Sequence, residues 1–185
     1  MRRPLAPTAL LSPWFLVAAL LVLPALGEAQ GTLRQEEISL TLRTGSLLIR
    51  VTPLTPWVVE TAAPDTRNRL EAMEREYGPE LVDRWGAGTL FLVTLFSNAP
   101  DAPFEAHDLT LESRGFIQRS VAISPVTPGW SSGRVGQQET AMAVYLFPEA
   151  VDPTELWDVR YGSAGTRGEW ARMLPRIQAE RNRLF

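Results

Sequence analysis

The residues able to do chemistry are few, and a single histidine limits what they can do together. Gly129-Trp130-Ser131-Ser132-Gly133 has the letter pattern of a serine hydrolase's nucleophile elbow. That chemistry requires a buried strand before the serine, a helix after it and a histidine to accept the proton. Pro125 and Pro128 stand where the strand would be, Arg134-Val135-Gly136 follows without a helical period, and His107 lies upstream. A glycine-rich turn explains the same string with none of these requirements. Asp101, Glu105, His107 and Asp108 gather oxygen and nitrogen donors in one stretch. Their spacing fits neither a calcium loop nor a zinc-protease helix, so Asp101, His107 and Asp108 are weak metal candidates and no metal is assigned. Without cysteine, tetrahedral thiolate zinc is excluded.

Paired carboxylates are the third possibility. Glu71, Glu74, Glu76 and Glu80 resemble an acid/base set by count. They alternate with Arg67, Arg69 and Arg75 on a polar helix face, where ion pairs within the helix account for them. Glycoside hydrolysis needs a cleft that raises one carboxyl pKa, which an exposed helix does not supply.

The tryptophans are the more informative residues. Trp85, Trp157 and Trp170 fall at the ends of elements and are expected to cap the core. Trp130 sits in a long connection, where it either plugs one end of the fold or projects as a stacking surface. Trp130, with Trp57 and Arg134, is the candidate ligand-binding set. Glu139, entering an apolar strand, is expected to pair with Arg119 or Arg134.

The chain that positions these groups opens with Met1-Arg2-Arg3, continues through an apolar run from Phe15 to Leu26, and reaches small residues at Ala25, Gly27 and Ala29. That order is a secretory signal, too short to remain as a membrane anchor, with cleavage before Glu28 or before Gln30. Residues 1–29 are read as the leader and 30–185 as one domain. The protein is then periplasmic or extracellular. Lacking cysteine, it cannot use disulfides and must be held by packing. All its basic residues are arginine, and the formal net charge is -3, which gives no electrostatic footprint for nucleic acid.

Within the domain, Ile38, Leu40 and Leu42, then Leu47, Ile49 and Val51, alternate with polar neighbours as a hairpin closed by Pro53 and Pro56. Leu70, Met73 and Tyr77 recur at helical spacing after Pro64, and Gly78-Pro79 is expected to end or break that helix. Thr89 to Phe96 is nearly all apolar, as in a strand covered on both faces. Further strands are expected around Leu109, from Phe116 to Ile123, from Ala141 to Phe147, and at Trp157 to Tyr161. The stretch from Ser124 to Gln138 reads as a long surface connection. Glu169 to Phe185 closes the chain as a helix, kinked or restarted near Leu174 by Pro175.

Roughly seven or eight short strands, one helix inserted early and one at the C-terminus predict a mainly β fold, an antiparallel immunoglobulin-like β-sandwich. With no competent catalytic set, the leading functional expectation is a non-enzymatic module for protein interaction or assembly in the cell envelope. It uses no cofactor and no nucleic acid. A small-ligand or glycan-binding domain built on Trp130 and Trp57 is the alternative, and an enzyme centred on His107 or Ser131 the third reading.

Overall fold

The computed structural model describes residues 30–148 and 151–185. The expected leader, 1–29, lies outside them.

The alternating runs pair as expected. β1 (Leu40–Thr44) and β2 (Leu47–Pro53) form the first hairpin, with Leu40 opposite Val51 and Leu42 opposite Ile49. After α1 (Pro56–Val59) and α2 (Pro64–Trp85), the apolar run becomes β3 (Thr89–Ser97). A short β4 (Ala102–Pro103) leads to β5 (Leu109–Ser113), β6 (Phe116–Arg119) and β7 (Ala122–Pro125). β8 (Arg134–Val135) and β9 (Thr140–Phe147) follow, then β10 (Trp157–Tyr161), β11 (Ala164–Gly165) and α3 (Glu169–Leu184).

The strands assemble as antiparallel sheets in the order β1-β2-β3-β9-β7 and β11-β10-β5-β6, with β4 and β8 pairing separately. The fold is thus mainly β, an antiparallel sandwich carrying one inserted helix layer and a C-terminal helix. β3 explains its own composition. Leu90 and Leu92 lie on the face that α2 covers, while Phe91 and Val93 face the other sheet, and all four are buried.

The core contains an unbroken run of aromatic rings. Phe104 meets Trp130 at 4.9 Å between centroids, Trp130 meets Tyr145 at 5.9 Å, and Tyr145 stacks on Phe147 at 6.0 Å. Phe147 continues edge-on to Phe91 at 5.6 Å, Phe91 to Trp157 at 5.2 Å and Trp157 to Trp170 at 4.8 Å. Such contacts add about 0.5–1.5 kcal/mol each beyond burial, which helps a domain without cross-links. The Trp170 indole N–H donates to the carbonyl of Pro153 at 3.0 Å, so the ring can be fully buried without an orphaned donor.

Neither helical proline breaks its helix. α2 runs through Pro79 and α3 through Pro175. Both prolines are exposed, so each carbonyl deprived of its N–H partner lies on the wet side of the helix and can bond water. Gly78 adds a second reason. It is buried beneath the Leu90 side chain, 2.8 Å from where a Cβ would stand, and lets α2 settle closely on the sheet. α3 is fastened at several points: Arg176 to Glu37 and Arg181 to Glu60, each at 2.7 Å, and Trp170 and Ile177 into the core. Among the described residues, no helix is long and apolar enough to cross a membrane.

Two further expectations are corrected. Phe116 to Ile123, read as one strand, is divided at Ser120 between two sheets: β6 pairs with β5 and β7 with β9. The presumed connection from Ser124 to Gln138 contains the end of β7, a short 3-10 helix at Pro128–Ser132 and β8.

Candidate functional site

The division at Ser120 creates a corner where the chain leaves the edge of one sheet and enters the edge of the other. α2 ends beside it. The helix buries Leu70, Gly78 and Leu81 against the larger sheet, and Trp85 is its last residue. Trp85 was expected as a core lid. It is instead 55% exposed, because the helix reaches the border of the sheet before its final turn and the indole has no strand left to cover.

Trp85, Leu81 and Arg84 form one wall of a groove of about 480 Å³, and His107, Val121 and Pro125 contribute to the remainder. Arg84 lies over the Trp85 ring at 5.6 Å. Val121 is 43% exposed, so the groove presents apolar surface beside the Arg84 cation, the Glu80 carboxylate and the His107 imidazole. This combination suits an apolar or aromatic group with a hydrogen-bonding neighbour.

The candidate binding residues separate. Trp130 is buried at 5% exposure, its ring packed against Phe104 and Tyr145. Of the two roles open to it in the sequence, plug or platform, the structure places it as the plug. Trp57 is partly buried on α1, with the Arg181 guanidinium 6.0 Å above its ring. Arg134 stands on β8 and grips Asp101 in a two-pronged ion pair, with Nη2 2.6 Å from Oδ2. The three therefore occupy different surroundings and form no common stacking site.

Arg134 takes Asp101 rather than Glu139 because β4 and β8 pair, bringing the two ends of that small ribbon together. The bond pulls the Asp101 carboxyl below its ordinary range. Asp101 is thereby committed, while His107 and Asp108 sit in a short 3-10 helix at Ala106–Asp108 whose turn is closed by Glu105. Among the described residues, no three acids or histidines come together as a metal cage.

Ser131 is exposed in the 3-10 helix and does not line the groove that contains His107. Its neighbour Ser132 makes the local bonds, donating to Gly129 at 2.7 Å and accepting from the Arg134 amide at 3.2 Å. The Gly129–Gly133 string is a structural turn that carries Trp130 inward. The acid-rich face of α2 is likewise internally paired, with Arg67 and Arg75 each within 3.5 Å of Glu71.

The sequence did not reveal the Trp85 groove. Its only signal was a tryptophan at the C-terminal end of an amphipathic helix, which reads equally as a buried cap. Comparison with protein-family models, curated proteins and solved structures finds no match for the chain.

Proposed function

We propose that this protein is an exported, non-enzymatic β-sandwich module, immunoglobulin-like in general plan, that docks a protein partner in the cell envelope. The observation that carries this reading is the concentration of exposed large apolar residues about the two sheet edges. Trp85 and Val121 border the groove, and Phe116 and Ile117, 68% and 58% exposed, lie on β6 just before the corner. Water-exposed side chains of this size on sheet edges favour association with another chain. The apolar stretch before residue 28 supports export, and the absence of cysteine is compatible with an oxidising compartment that the fold does not exploit.

Trp130 is buried, so of the two tryptophans behind the glycan alternative only the partly buried Trp57 has surface to offer, which favours the protein-interaction reading. The test is incorporation of a photo-cross-linking amino acid at Trp85 in the cells that make the protein, with the same group at exposed Gln178 on α3 as control. A defined protein adduct from Trp85 and none from Gln178 supports docking at the groove. Equal labelling at both positions, or none at Trp85, overturns it. N-terminal sequencing of the purified protein tests export: a chain that still begins at Met1 contradicts the leader.

A further inference from the structure

The β5–β6 hairpin leaves one border of the smaller sheet open. Arg114 and Gly115, its two loop residues, both have positive φ, 53° and 80°, the geometry of a type I′ turn. In such a hairpin the residues flanking the loop, Ser113 and Phe116, form the hydrogen-bonded closing pair. Bonding direction then alternates along the strand. Phe116 and Gln118 turn their main-chain groups toward β5, and Ile117 and Arg119 turn theirs away from it. Among the described residues, no strand pairs with β6 on that outer side.

Edge strands in monomeric proteins are guarded by brevity, charge, proline, bulges or a covering element. β6 is only four residues long, yet it sets two large apolar side chains beside the outward main-chain groups. Its charge is also unanswered. Arg114 pairs with Glu155 and Arg160 with Glu112, whereas Arg119 has no carboxylate within ion-pair distance among the described residues. Ile117 and Arg119, two positions apart, share one face of the sheet.

We propose that β6 is a strand-addition site whose occupant is an extended segment of the partner protein, bearing an apolar residue opposite Ile117 and an acidic residue opposite Arg119. This proposal rests on the protein-interaction reading and specifies its mode. Main-chain bonds to Ile117 and Arg119 supply affinity, and the apolar-then-acidic pattern at a spacing of two supplies choice of partner. The β6 strand of a second copy does not present that pattern. Antiparallel self-pairing centred on Ile117 puts Gly115 opposite Arg119, and pairing centred on Gln118 puts Ile117 there.

The test uses labelled octapeptides of alternating valine and threonine with one aspartate two positions from a valine on the same face, and a matched set with lysine instead. They are titrated into the protein by fluorescence anisotropy, with amide hydrogen exchange across residues 116–119 as the site readout. The aspartate peptide is expected to bind about tenfold more tightly than the lysine peptide and to slow exchange at Ile117 and Arg119. Arg119→Glu, a surface change that leaves the hairpin intact, is expected to invert that order. Ile117→Pro deletes the outward N–H and is expected to abolish binding of both, with an unchanged circular dichroism spectrum as the check on folding.

Equal affinity for the two peptides, no peptide-dependent protection at Ile117, or an Arg119→Glu protein with the original preference overturns the proposal. So does protection that appears without peptide and rises with protein concentration alongside a dimer mass in light scattering, since the occupant is then a second copy. If these tests fail while Trp85 still cross-links to a defined protein, only strand addition falls. If both fail, the interaction reading falls with it.

Discussion

The phenolic hydroxyl of Tyr145 donates to the carbonyl oxygen of Ala106 across 2.8 Å, joining the inner strand β9 to the turn that carries His107. The ring is almost wholly buried, and burial pushes the phenol's pKa far up, so the group stays a neutral donor throughout the working range. Tyr145→Phe removes the donor and leaves a carbonyl without its partner. The expected loss is about 1–2 kcal/mol, seen as a lower urea midpoint with an unchanged slope. An unaltered midpoint would mean that water replaces the hydroxyl at no cost.

Trp130 occupies the middle of the aromatic run, between Phe104 and Tyr145. Trp130→Ala empties that position and is expected to cost about 3–5 kcal/mol, while Trp130→Phe keeps part of the contact and costs less. Because the ring is enclosed, adding a panel of glycans to the native protein is expected to leave its contribution to the fluorescence spectrum unchanged. A glycan-dependent shift that disappears in Trp130→Phe would restore the stacking role.

How much of this was legible beforehand depended on whether a residue's neighbours in space were also its neighbours in sequence. The β1–β2 hairpin, β3 and β9 are set by local alternation or apolar runs and lie close to where the pattern puts them, although Ile38 falls before β1. α2 begins where its helical period begins but runs past Gly78-Pro79 to Trp85. The break at Ser120 is different. Phe116, Ile117, Val121 and Ile123 form a continuous β-prone run, and only the competing registers of β5 and β9 pull its halves into separate sheets. The same limit hid the site. Trp85 follows Leu81 by one helical turn, so sequence spacing continues the buried stripe, and nothing local reveals that the sheet ends first. Closeness in the chain makes Arg134, with Arg119, an expected partner of Glu139, but pairing of β4 with β8 brings Arg134 to Asp101 instead.

The start of the described chain is threaded tightly. Leu33 forms a parallel bridge with Ala62, and a Cβ on Gly31 would stand 2.4 Å from the carbonyl carbon of Thr61. The opposing atoms are main chain and cannot swing away. Gly31→Ala is therefore expected to lower the melting temperature sharply, by more than about 5 °C, as a steric displacement of about 2 kcal/mol or more would in a domain of this size. Gly129→Ala, where nothing lies within 4 Å of the new methyl, is the control and is expected to change the temperature little.

Glu180 on α3 secures the same segment and makes its attachment dependent on pH. One carboxylate oxygen accepts from both the amide and the hydroxyl of Thr32, each at 2.7 Å, and Arg183 bonds the carboxylate while also holding the Gln30 carbonyl. The Arg183 guanidinium foremost, then the Thr32 donors, outweigh desolvation and hold the Glu180 pKa at about 2, below its ordinary 4.5. A carboxyl whose pKa is lowered by folding binds its proton more readily in the unfolded chain, so acid favours unfolding. The stabilisation is complete above about pH 4.5 and is lost as pH falls from there through about 2. Glu180→Gln removes the titration along with the charge. The gap in urea midpoint between the native protein and Glu180→Gln is expected to be widest at pH 6 and to narrow steadily as the buffer is taken from pH 5 to pH 2. A gap that stays constant over that interval would show that the Thr32 bonds do not depend on the ionised carboxylate.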